Sequence, residues 1–357
     1  MKQRLGIIGC GQLSQMMAEA ARRLGVHVAF LCVDETPVVG GLGPIYLPAE
    51  LDEFLAACDA ITVERESIPD EILRRAANEV GLAPGYDALV VLRQRDTQKA
   101  MLDELAIPTS PWVSASDAQQ LSQVLPNLGS EYARCKRILG GYDGGGQWRV
   151  GGELAVDRIP EGGYPLIAEA EIAIERELAI IIGRDEQGNT TCYPMTENAM
   201  RDGILIGSFV PADVPELLVA EAQEYATRLV NRMAYVGVLA IEFFVAGGEL
   251  IVNEIAPRVH NTGHWSIGAI GADQFTQHVS LVLGAPVSPP QLEGGAAMVN
   301  LLDDKLPQAM PEAPLRMLVQ TYGKGIRKGR KLGHLTVIGD DPNAVRQYAE
   351  QLIKELH

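Results

Sequence analysis

Two neighbouring apolar runs in the second half of the chain each have an acidic residue in their interior. The first run, 236–245, carries Glu242, and the second, 249–255, carries Glu254. The glycines between the runs predict a tight turn and therefore a β-hairpin. An acid held in apolar surroundings without a partner costs several kcal/mol. The chain must therefore fold so that both carboxylates reach a shared partner, and a divalent cation is the simplest one.

The length of the turn decides which residues face each other across this hairpin. A three-residue turn sets Glu242 opposite Glu254, whereas a two-residue turn sets Glu242 opposite Asn253. Both registers stay open, and both place oxygen ligands on one face of the hairpin. Hard oxygen ligands without cysteine suit Mg²⁺ that is bound together with substrate phosphates. The competing interpretation is a pair of acids on a solvated face, which the apolar residues around Glu242 disfavour.

The second apolar run leads into an unusually polar segment. Asn253 and Glu254 are followed by the rigid corner Ala256-Pro257 and then by four further polar residues, which are Arg258, His260, Asn261 and His264. Convergent polar groups at the end of an apolar strand are typical of a ligand cavity. We therefore expect this strand to end at a functional site.

Residues 1–95 alternate between short apolar runs and segments of helical periodicity. This β-α-β-α order predicts a parallel, doubly wound sheet. The expected strands are 4–10, 26–32 and 59–63, and the expected helices are 12–24 and 69–79.

The remaining chain divides into two further units. Residues 96–166 predict a small α+β lid, with strands 132–138 and 147–150 on either side of a glycine-rich turn. Residues 167–357 predict a C-terminal domain with a mixed sheet, long strands and one good helix, 215–233. The fold class is therefore α/β and α+β in three domains.

Charge and cysteine usage exclude several classes of function. The net charge of −16 makes nucleic acid and anionic membranes poor partners, so a phosphorylated ligand requires a local basic cluster. The five cysteines are scattered without close pairs. This distribution argues against a disulfide framework and a zinc site, and it favours a reducing, cytoplasmic environment. The sequence has no apolar window of about 18 residues, so we expect no membrane span.

The motif Gly9-Cys10-Gly11-Gln12-Leu13-Ser14 follows a strand and precedes a helix. This context is typical of a phosphate or dinucleotide at a helix N-terminus. Ser14 replaces the third glycine of the dinucleotide-binding pattern, and Asp34 stands near the expected place of a ribose-binding acid. NAD binding and a simple tight turn both remain open.

A second glycine-rich stretch, GGYDGGGQ at 140–147, lies just after Lys136 in an apolar strand. Its glycines let backbone N–H groups approach a polyphosphate, and Lys136 is placed to reach a phosphate. A flexible hairpin is the alternative. Near the C-terminus, the segment 322–334, YGKGIRKGRKLGH, concentrates lysine and arginine in a glycine-rich loop. It predicts either phosphate recognition or a solvated basic loop.

Together these segments resemble the ATP-grasp superfamily and, within it, the N5-carboxyaminoimidazole ribonucleotide synthetases. The matching stretches occur in the same order along the chain: GCGQL at 9–13, TVERESIP at 62–69, RDTQK at 95–99, GGYDGGGQW at 140–148, NEIAPRVHNTGHW at 253–265 and the basic segment. The resemblance covers essentially the whole chain. It implies an ATP-grasp fold with ATP between the lid and the C-terminal domain. It also implies that aminoimidazole ribonucleotide is carboxylated through carboxyphosphate made from ATP and bicarbonate.

The resemblance also implies roles for individual residues. Those at ATP would be Arg95, Lys136, Gly141, Tyr142, Asp143, Gly144, Gly145, Gly146 and Gln147 around the phosphates, Glu169, Ala170, Glu171 and Ile172 at adenine, Glu177 at ribose, and Met200, Asn253 and Glu254 nearby. Magnesium would be bound by Glu242 and Glu254. Bicarbonate and the imidazole would meet Tyr142, Asp143, Arg258 and His260. The ribonucleotide would be held by Gln12, Leu13, Asn261, Lys324, Arg330 and Lys331.

The chain departs from the family pattern at a few positions. The family usually has Gly-Arg at Ser14-Gln15, a basic residue at Gly145 and a histidine at Met200, and it has SQFE where this chain has DQFT at 273–276. The missing cation at 145 leaves two interpretations open, which are an altered activity and compensation by Arg137 or Arg201.

Three other functions compete with the carboxylase. A ligase like the formate-dependent glycinamide ribonucleotide transformylase usually has aspartate where this chain has Asn261. An NAD-dependent oxidoreductase leaves Glu242 and Glu254 unexplained. A non-catalytic nucleotide-binding relative is the third. The expected partners are small molecules, namely ATP, bicarbonate and aminoimidazole ribonucleotide, and a homodimer is implied by the resemblance alone.

Overall fold

The computed structural model describes residues 2–33, 36–140, 146–152, 155–302, 307, 311–327 and 329–357. Its N-terminal part contains a four-stranded sheet of order β3-β2-β1-β4, in which all neighbouring strands are parallel. The parallel sheet predicted for residues 1–95 is therefore confirmed. Its elements are β1 (Arg4–Ile8), α1 (Gln12–Arg23), β2 (His27–Leu31), β3 (Ile45–Tyr46), α2 (Leu51–Ala56), β4 (Ala60–Val63), α3 (Asp70–Glu79) and α4 (Tyr86–Leu92).

The lid is a separate antiparallel sheet of order β5-β8-β6-β7. It follows helix α5 and includes helix α6. The elements of this region are α5 (Arg95–Glu104), β5 (Trp112–Ala115), α6 (Ala118–Val124), β6 (Tyr132–Arg137), β7 (Gln147–Gly151) and β8 (Leu166–Ala170).

The predicted lid boundaries, 96 and 166, are wrong at both ends. Strand β8 pairs with β5 and β6, so the lid sheet extends to Ala170. Helix α5 belongs to another core, because Met101 and Leu102 pack with Leu178 and Ile180 of the C-terminal domain. Apolar alternation reveals that a segment is a strand or a helix, but it does not reveal which sheet the segment packs against.

The C-terminal domain contains a sheet that is nine-stranded within the described residues. Its order is β14-β13-β9-β11-β12-β15-β17-β16, and β10 pairs with β9. The sequence predicted a mixed sheet and one helix, whereas all of these ladders are antiparallel and three helices are present in the described part. The elements are β9 (Arg176–Arg184), β10 (Thr190–Cys192), β11 (Thr196–Arg201), β12 (Ile204–Val210), α7 (Glu216–Arg232), β13 (Gly237–Ala246), β14 (Glu249–Ala256), α8 (Gln274–Val282), β15 (Gly295–Leu302), β16 (Arg316–Thr321), β17 (Lys331–Gly339) and α9 (Pro342–Leu356).

The β13–β14 hairpin combines the two registers that the sequence left open. Its turn has two residues, because Ala246 pairs with Glu249. A bulge then shifts the register, so that Phe243 pairs with Val252 while Glu242 pairs with Glu254. Asn253 is the extra residue of the bulge. The carboxylates therefore face each other, as the three-residue turn predicted, although the turn itself is the shorter one.

Helix α1 begins against a buried carboxylate rather than at an open anion site. Glu64, which directly follows β4, accepts hydrogen bonds from the backbone N–H groups of Gly11 at 2.6 Å and Leu13 at 3.0 Å. It also accepts one from the Ser14 hydroxyl at 2.7 Å. A carboxylate stabilises a helix N-terminus as a phosphate does. Glu64 therefore occupies the position that the phosphate of a dinucleotide would take at this motif.

One disulfide joins Cys10 to Cys32, with their Cα atoms 5.4 Å apart. This pairing corrects the expectation of no disulfide, whereas Cys58, Cys135 and Cys192 are free. The two cysteines are distant in sequence, but Ile8 and Leu31 are partners in the parallel β1–β2 ladder. Residues that follow adjacent parallel strands reach the same edge of the sheet, and this brings the two thiols together.

The N-terminal and C-terminal domains share one hydrophobic core. Met16 and Met17 of α1 belong to the same buried cluster as Phe275 and Val279 of α8. The loop that precedes α1 is thereby fixed relative to the polar segment that precedes α8. Within the described residues, no helix is both long and apolar enough to cross a membrane.

Glu64→Ala should destabilise the N-terminal domain by about 2 kcal/mol, because it leaves buried N–H groups without an acceptor. Hydrogen exchange of the backbone amides in α1, together with urea denaturation, measures this loss. Glu53→Ala removes an exposed glutamate of α2 and should change the free energy of unfolding by less than about 0.5 kcal/mol. Equal effects of the two substitutions would contradict the role of Glu64.

Candidate active site

A cavity of about 560 Å³ lies where the N-terminal domain, the lid and the C-terminal domain meet. Two segments predicted from the sequence to bind ATP, at Lys136 and at Asn253-Glu254, contribute to its wall. Charged and polar residues of the wall include Glu66, Arg95, Gln98, Lys99, Lys136, Glu169, Asn253 and Glu254.

Arg95 joins three parts of this cavity. Its guanidinium lies 3.7 Å from the Glu254 carboxylate and donates a hydrogen bond to the Gly140 carbonyl at 3.0 Å. Its backbone N–H donates to Ile138 at 3.1 Å. The first residue of α5 therefore links the start of the glycine-rich loop to the carboxylate hairpin.

A buried chain of charges connects the lid to the C-terminal domain. The Lys136 ammonium is 2.6 Å from one oxygen of Glu169 and 3.4 Å from the Asn253 side-chain oxygen. The other Glu169 oxygen is paired with Lys99, which also contacts the Thr109 hydroxyl. Burial alone would raise the pKa of Glu169, but the two ammonium charges outweigh it and hold that pKa below its usual range.

Burial and mutual repulsion make the ionised form of the hairpin carboxylates costly, and a bound cation would lower this cost. Burial raises the pKa of Glu242 to about 7, and the nearby carboxylates of Glu254 and Glu177 contribute to the rise. Burial likewise raises the pKa of Glu177. A cation that paired with these groups would remove the cost of keeping them ionised together.

The side chains at the hairpin fit a magnesium ion that is bound jointly by the protein and by nucleotide phosphates. Glu242 and Glu254 offer carboxylate oxygens, and Asn253 offers its side-chain carbonyl oxygen. These are the ligand atoms that magnesium prefers. Among the described residues, no cluster of three or more histidine, cysteine or acidic side chains forms a complete protein cage. Magnesium usually uses one or two carboxylates together with substrate phosphates, so a pair is sufficient.

Arg258 and His260 follow the end of β14. The Arg258 guanidinium donates to the Glu66 carboxylate at 3.0 Å, and Glu66 reaches the cavity wall. The His260 ring lies 3.0 Å from the Thr262 hydroxyl and 3.8 Å from Glu242. Burial, with the positive charges of Arg258 and Lys331, lowers the pKa of His260 well below its ordinary value. The ring is therefore neutral at pH 7.

The basic segment meets the first glycine motif. The Lys324 ammonium donates to the side-chain oxygen of Gln12 at 2.6 Å. Lys331 begins β17 and lies close enough to Glu242 and His260 to influence their pKa values. Arg330 is exposed and donates to the Gly325 carbonyl at 3.2 Å. Two of the three predicted phosphate ligands are thus close to other predicted site residues.

Several predicted site residues have partners elsewhere. The Leu13 N–H is bonded to Glu64, and the Leu13 side chain is in the core. The side-chain amide of Asn261 makes reciprocal hydrogen bonds with Asn300, at 3.1 and 2.7 Å. Glu171 pairs with Arg134 and Arg149 at the lid surface. These contacts do not test the predicted roles, but they occupy the groups that a ligand would use.

The predicted adenine and loop residues are placed only in part. Glu169 lines the cavity, Ala170 ends β8, Ile172 follows it, and Met200 packs at a bulge of β11. Gln147 pairs with Lys136 at the start of β7, directly after Gly146. Outside the described residues lie Asp34, Gly141, Tyr142, Asp143, Gly144 and Gly145.

Three residues of the cavity were missed by the sequence reasoning. Gln98 and Lys99 are 5% and 2% exposed, so both are buried polar groups of α5. They follow Arg95 by three and four positions, and that spacing places them on its face of the helix. Glu66 follows Glu64 by two positions at a strand end, which is the spacing of one face. Helical and strand periodicity applied to the polar residues could have revealed all three.

Comparison with known proteins identifies the domains. Residues 1–93 match the ribonucleotide synthetase preATP-grasp domain, residues 100–275 the ATP-grasp domain, and residues 296–348 the phosphoribosylaminoimidazole carboxylase C-terminal domain. The N5-carboxyaminoimidazole ribonucleotide synthase of Brucella melitensis is 36% identical over 94% of this chain and 96% of its own. That of Escherichia coli is 33% identical over 97% of this chain and 93% of its own.

Solved structures agree with these relatives. The N5-carboxyaminoimidazole ribonucleotide synthetase of Thermus thermophilus has a TM-score of 0.88 and 34% identity, covering 99% of this chain and 98% of its own. The Staphylococcus aureus synthetase complexed with ADP has a TM-score of 0.87 and 28% identity, covering 98% and 97%. With the geometry above, these similarities show that the chain belongs to the N5-carboxyaminoimidazole ribonucleotide synthases, a family of ATP-grasp ligases.

Proposed function

We propose that this protein uses ATP and bicarbonate to carboxylate 5-aminoimidazole ribonucleotide, giving N5-carboxyaminoimidazole ribonucleotide for de novo purine biosynthesis. The observation that carries the proposal is the continuity of two sites. Asn253-Glu254 line the nucleotide-sized cavity, and the same backbone continues into Arg258 and His260. The sequence thereby joins a place for ATP to a place for an acceptor.

The first chemical step forms carboxyphosphate. A bicarbonate oxygen attacks the γ-phosphorus of ATP, and the bond from that phosphorus to the β-phosphate oxygen breaks, releasing ADP. Such transfers depend on positioning and on neutralising phosphate charge. Lys136 and Arg95 supply positive charge in the cavity. Magnesium, held by Glu242 and Glu254, would neutralise further phosphate charge.

The second step transfers the carboxyl group. The exocyclic amine of the imidazole attacks the carboxyl carbon of carboxyphosphate, or the carbon dioxide released from it, and inorganic phosphate leaves. The amine must lose a proton, and the His260 ring is the proposed acceptor. The negative charges of Glu242, 3.8 Å away, and of the bound substrates would favour the protonated ring and offset the effect of burial. Arg258, held by Glu66, supplies a fixed positive charge for the carboxylate. Carboxyphosphate reacts readily with water, so the lid must exclude water from the site.

The wider setting of the protein is also part of the proposal. We infer a homodimer that takes no nucleic acid and no membrane as partner, and we place it in the cytoplasm. The location rests on the proposed role in purine biosynthesis and not on the cysteines, because Cys10 and Cys32 form a disulfide. The ribonucleotide phosphate would be held by Lys324, Arg330 and Lys331, beside Gln12. Size-exclusion chromatography with light scattering tests the dimer.

The proposed activity requires that ADP formation depend on magnesium and rise when bicarbonate and aminoimidazole ribonucleotide are both present. A coupled assay for ADP, together with incorporation of ¹³C from labelled bicarbonate, measures both substrates at once. ATP turnover that is indifferent to the imidazole would rule out the carboxylase.

Glu254→Gln should lower ATP turnover on the order of 100-fold or more, because the site loses one charged metal ligand. The fold should be retained, since the glutamine has nearly the same shape, and the thermal unfolding midpoint checks this. Glu249→Gln is the matched control: it lies on the same strand but is exposed, and it should leave turnover unchanged. Full activity of Glu254→Gln would contradict the metal role.

Lys324→Ala should raise KM for aminoimidazole ribonucleotide by about 10-fold, because one charged hydrogen bond to the phosphate is lost. KM for ATP should change little. Steady-state kinetics with each substrate varied separately make the measurement. Lys354→Ala, an exposed lysine of α9, serves as the control. If KM for the ribonucleotide stays constant in Lys324→Ala, the basic segment is a solvated loop.

A further inference from the structure

Two buried glutamines, Gln98 and Gln274, bind the backbone at Ile255 and at His260 in the same way. The Gln98 amide accepts a hydrogen bond from the Ile255 N–H at 3.0 Å and donates one to the Ile255 carbonyl at 3.0 Å. The Gln274 amide accepts from the His260 N–H at 2.8 Å and donates to the His260 carbonyl at 2.7 Å. Each side chain therefore binds both polar groups of one residue.

The two contacts lie next to the residues that the proposed function requires. Ile255 directly follows the predicted metal ligand Glu254, and His260 lies two positions after Arg258. We call residues 254–260 the junction segment. The glutamines come from distant places in the chain, since Gln98 lies in α5 and Gln274 begins α8. The two ends of the junction segment are thus fixed by different parts of the fold.

The Gln98 contact has a particular importance because β14 is at the edge of its sheet. A bulge at Asn253 interrupts the pairing of this strand with β13. On the open side of β14, the Val252 N–H donates to the Pro108 carbonyl and its carbonyl accepts from the Thr109 hydroxyl, both at 2.8 Å. With Gln98 on Ile255, hydrogen bonds hold the backbone on both sides of the bulge. They fix the direction of Asn253 and Glu254.

The Gln274 contact fixes the acceptor side instead. Besides the His260 backbone, the Gln274 amide lies 3.0 Å from Nδ1 of His264. The His260 ring itself is oriented by the Thr262 hydroxyl at 3.0 Å. Gln274 is fully buried, so no water competes for these bonds. The peptide and the ring of His260 are thereby held in one orientation.

We propose that Gln98 and Gln274 are positioning residues with separate tasks. Gln98 aligns Asn253-Glu254 for ATP and its magnesium, and Gln274 aligns Arg258 and His260 for the acceptor substrate. The proposal rests on the proposed function for the identity of the acceptor. Neither glutamine needs to touch a substrate for this task. Groups behind the direct ligands of a site typically change affinity or activity by about 10- to 100-fold when they are removed.

The test compares Gln98→Met with Gln274→Met, each serving as the matched control for the other. Methionine keeps the length and bulk of the side chain but makes neither hydrogen bond. Gln98→Met should raise KM for ATP, and the magnesium concentration for half-maximal rate, by about 10-fold, with KM for the ribonucleotide within about twofold of wild type. Gln274→Met should raise KM for the ribonucleotide by about 10-fold and leave the ATP and magnesium constants unchanged.

A second pair of variants keeps the proposal testable if a methionine variant does not fold. Thr109→Val removes the bond to the Val252 carbonyl, and Thr262→Val removes the partner of the His260 ring. The first should move the same constants as Gln98→Met, and the second the same constants as Gln274→Met. The proposal is overturned if Gln98→Met and Gln274→Met, or Thr109→Val and Thr262→Val, change the ATP, magnesium and ribonucleotide constants equally. It is also overturned if the variants only lower the unfolding midpoint and leave the kinetics unchanged.

Failure of the proposed function can be distinguished from failure of this inference. If the wild-type protein does not respond to aminoimidazole ribonucleotide, the function is wrong. The task of Gln98 is then tested by calorimetric titration with ATP and magnesium. Gln98→Met should bind about 10-fold more weakly and Gln274→Met as wild type does. Equal binding by the two variants would refute the assignment of separate tasks.

Discussion

The pairing of Glu242 with Glu254 across a bulged hairpin is the constraint on which the rest of the site depends. Two carboxylates at directly opposed positions repel each other, and burial increases the cost. The raised pKa of Glu242 is the sign of this conflict. Positively charged side chains approach the pair from two elements: Arg95 approaches Glu254 from α5, and Lys331 approaches Glu242 from β17. The protein therefore maintains a site whose electrostatic balance is completed by a ligand.

The same principle explains how the lid is connected to the site. Glu169 belongs to the lid sheet, yet its carboxylate lies between Lys99 of α5 and Lys136 of the lid. Lys99 is 2% exposed, and an ammonium group buried to this extent requires a fixed anionic partner. Lys136 also approaches Asn253, so movement of the lid changes contacts on both sides of the cavity. Closure over ATP would then be coupled to the hairpin.

Local sequence patterns predicted the elements and the pair of acids, whereas the long-range contacts could not be predicted from them. Alternation and glycine punctuation are local, so the parallel sheet and the β13–β14 hairpin were found. The bulge at Asn253 depends on what covers the edge of β14, and the Glu64 carboxylate reaches α1 from a distant strand. The Cys10–Cys32 pair depends on the β1–β2 register. A single sequence contains no direct record of such pairings.

The departure at Gly145 removes a cation from the glycine-rich loop, and Arg137 is the described cation nearest to that position along the lid sheet. Arg137 ends β6 beside Gly146, where a Cβ atom would meet the Arg137 side chain at 3.5 Å. Its guanidinium lies 5.8 Å from the Trp148 ring, within reach of a cation–π contact. Arg201, the other candidate, is exposed at the end of β11. Arg137 is therefore a cation that the lid sheet places next to Gly146, directly after position 145, and it is the better candidate to replace the charge missing there.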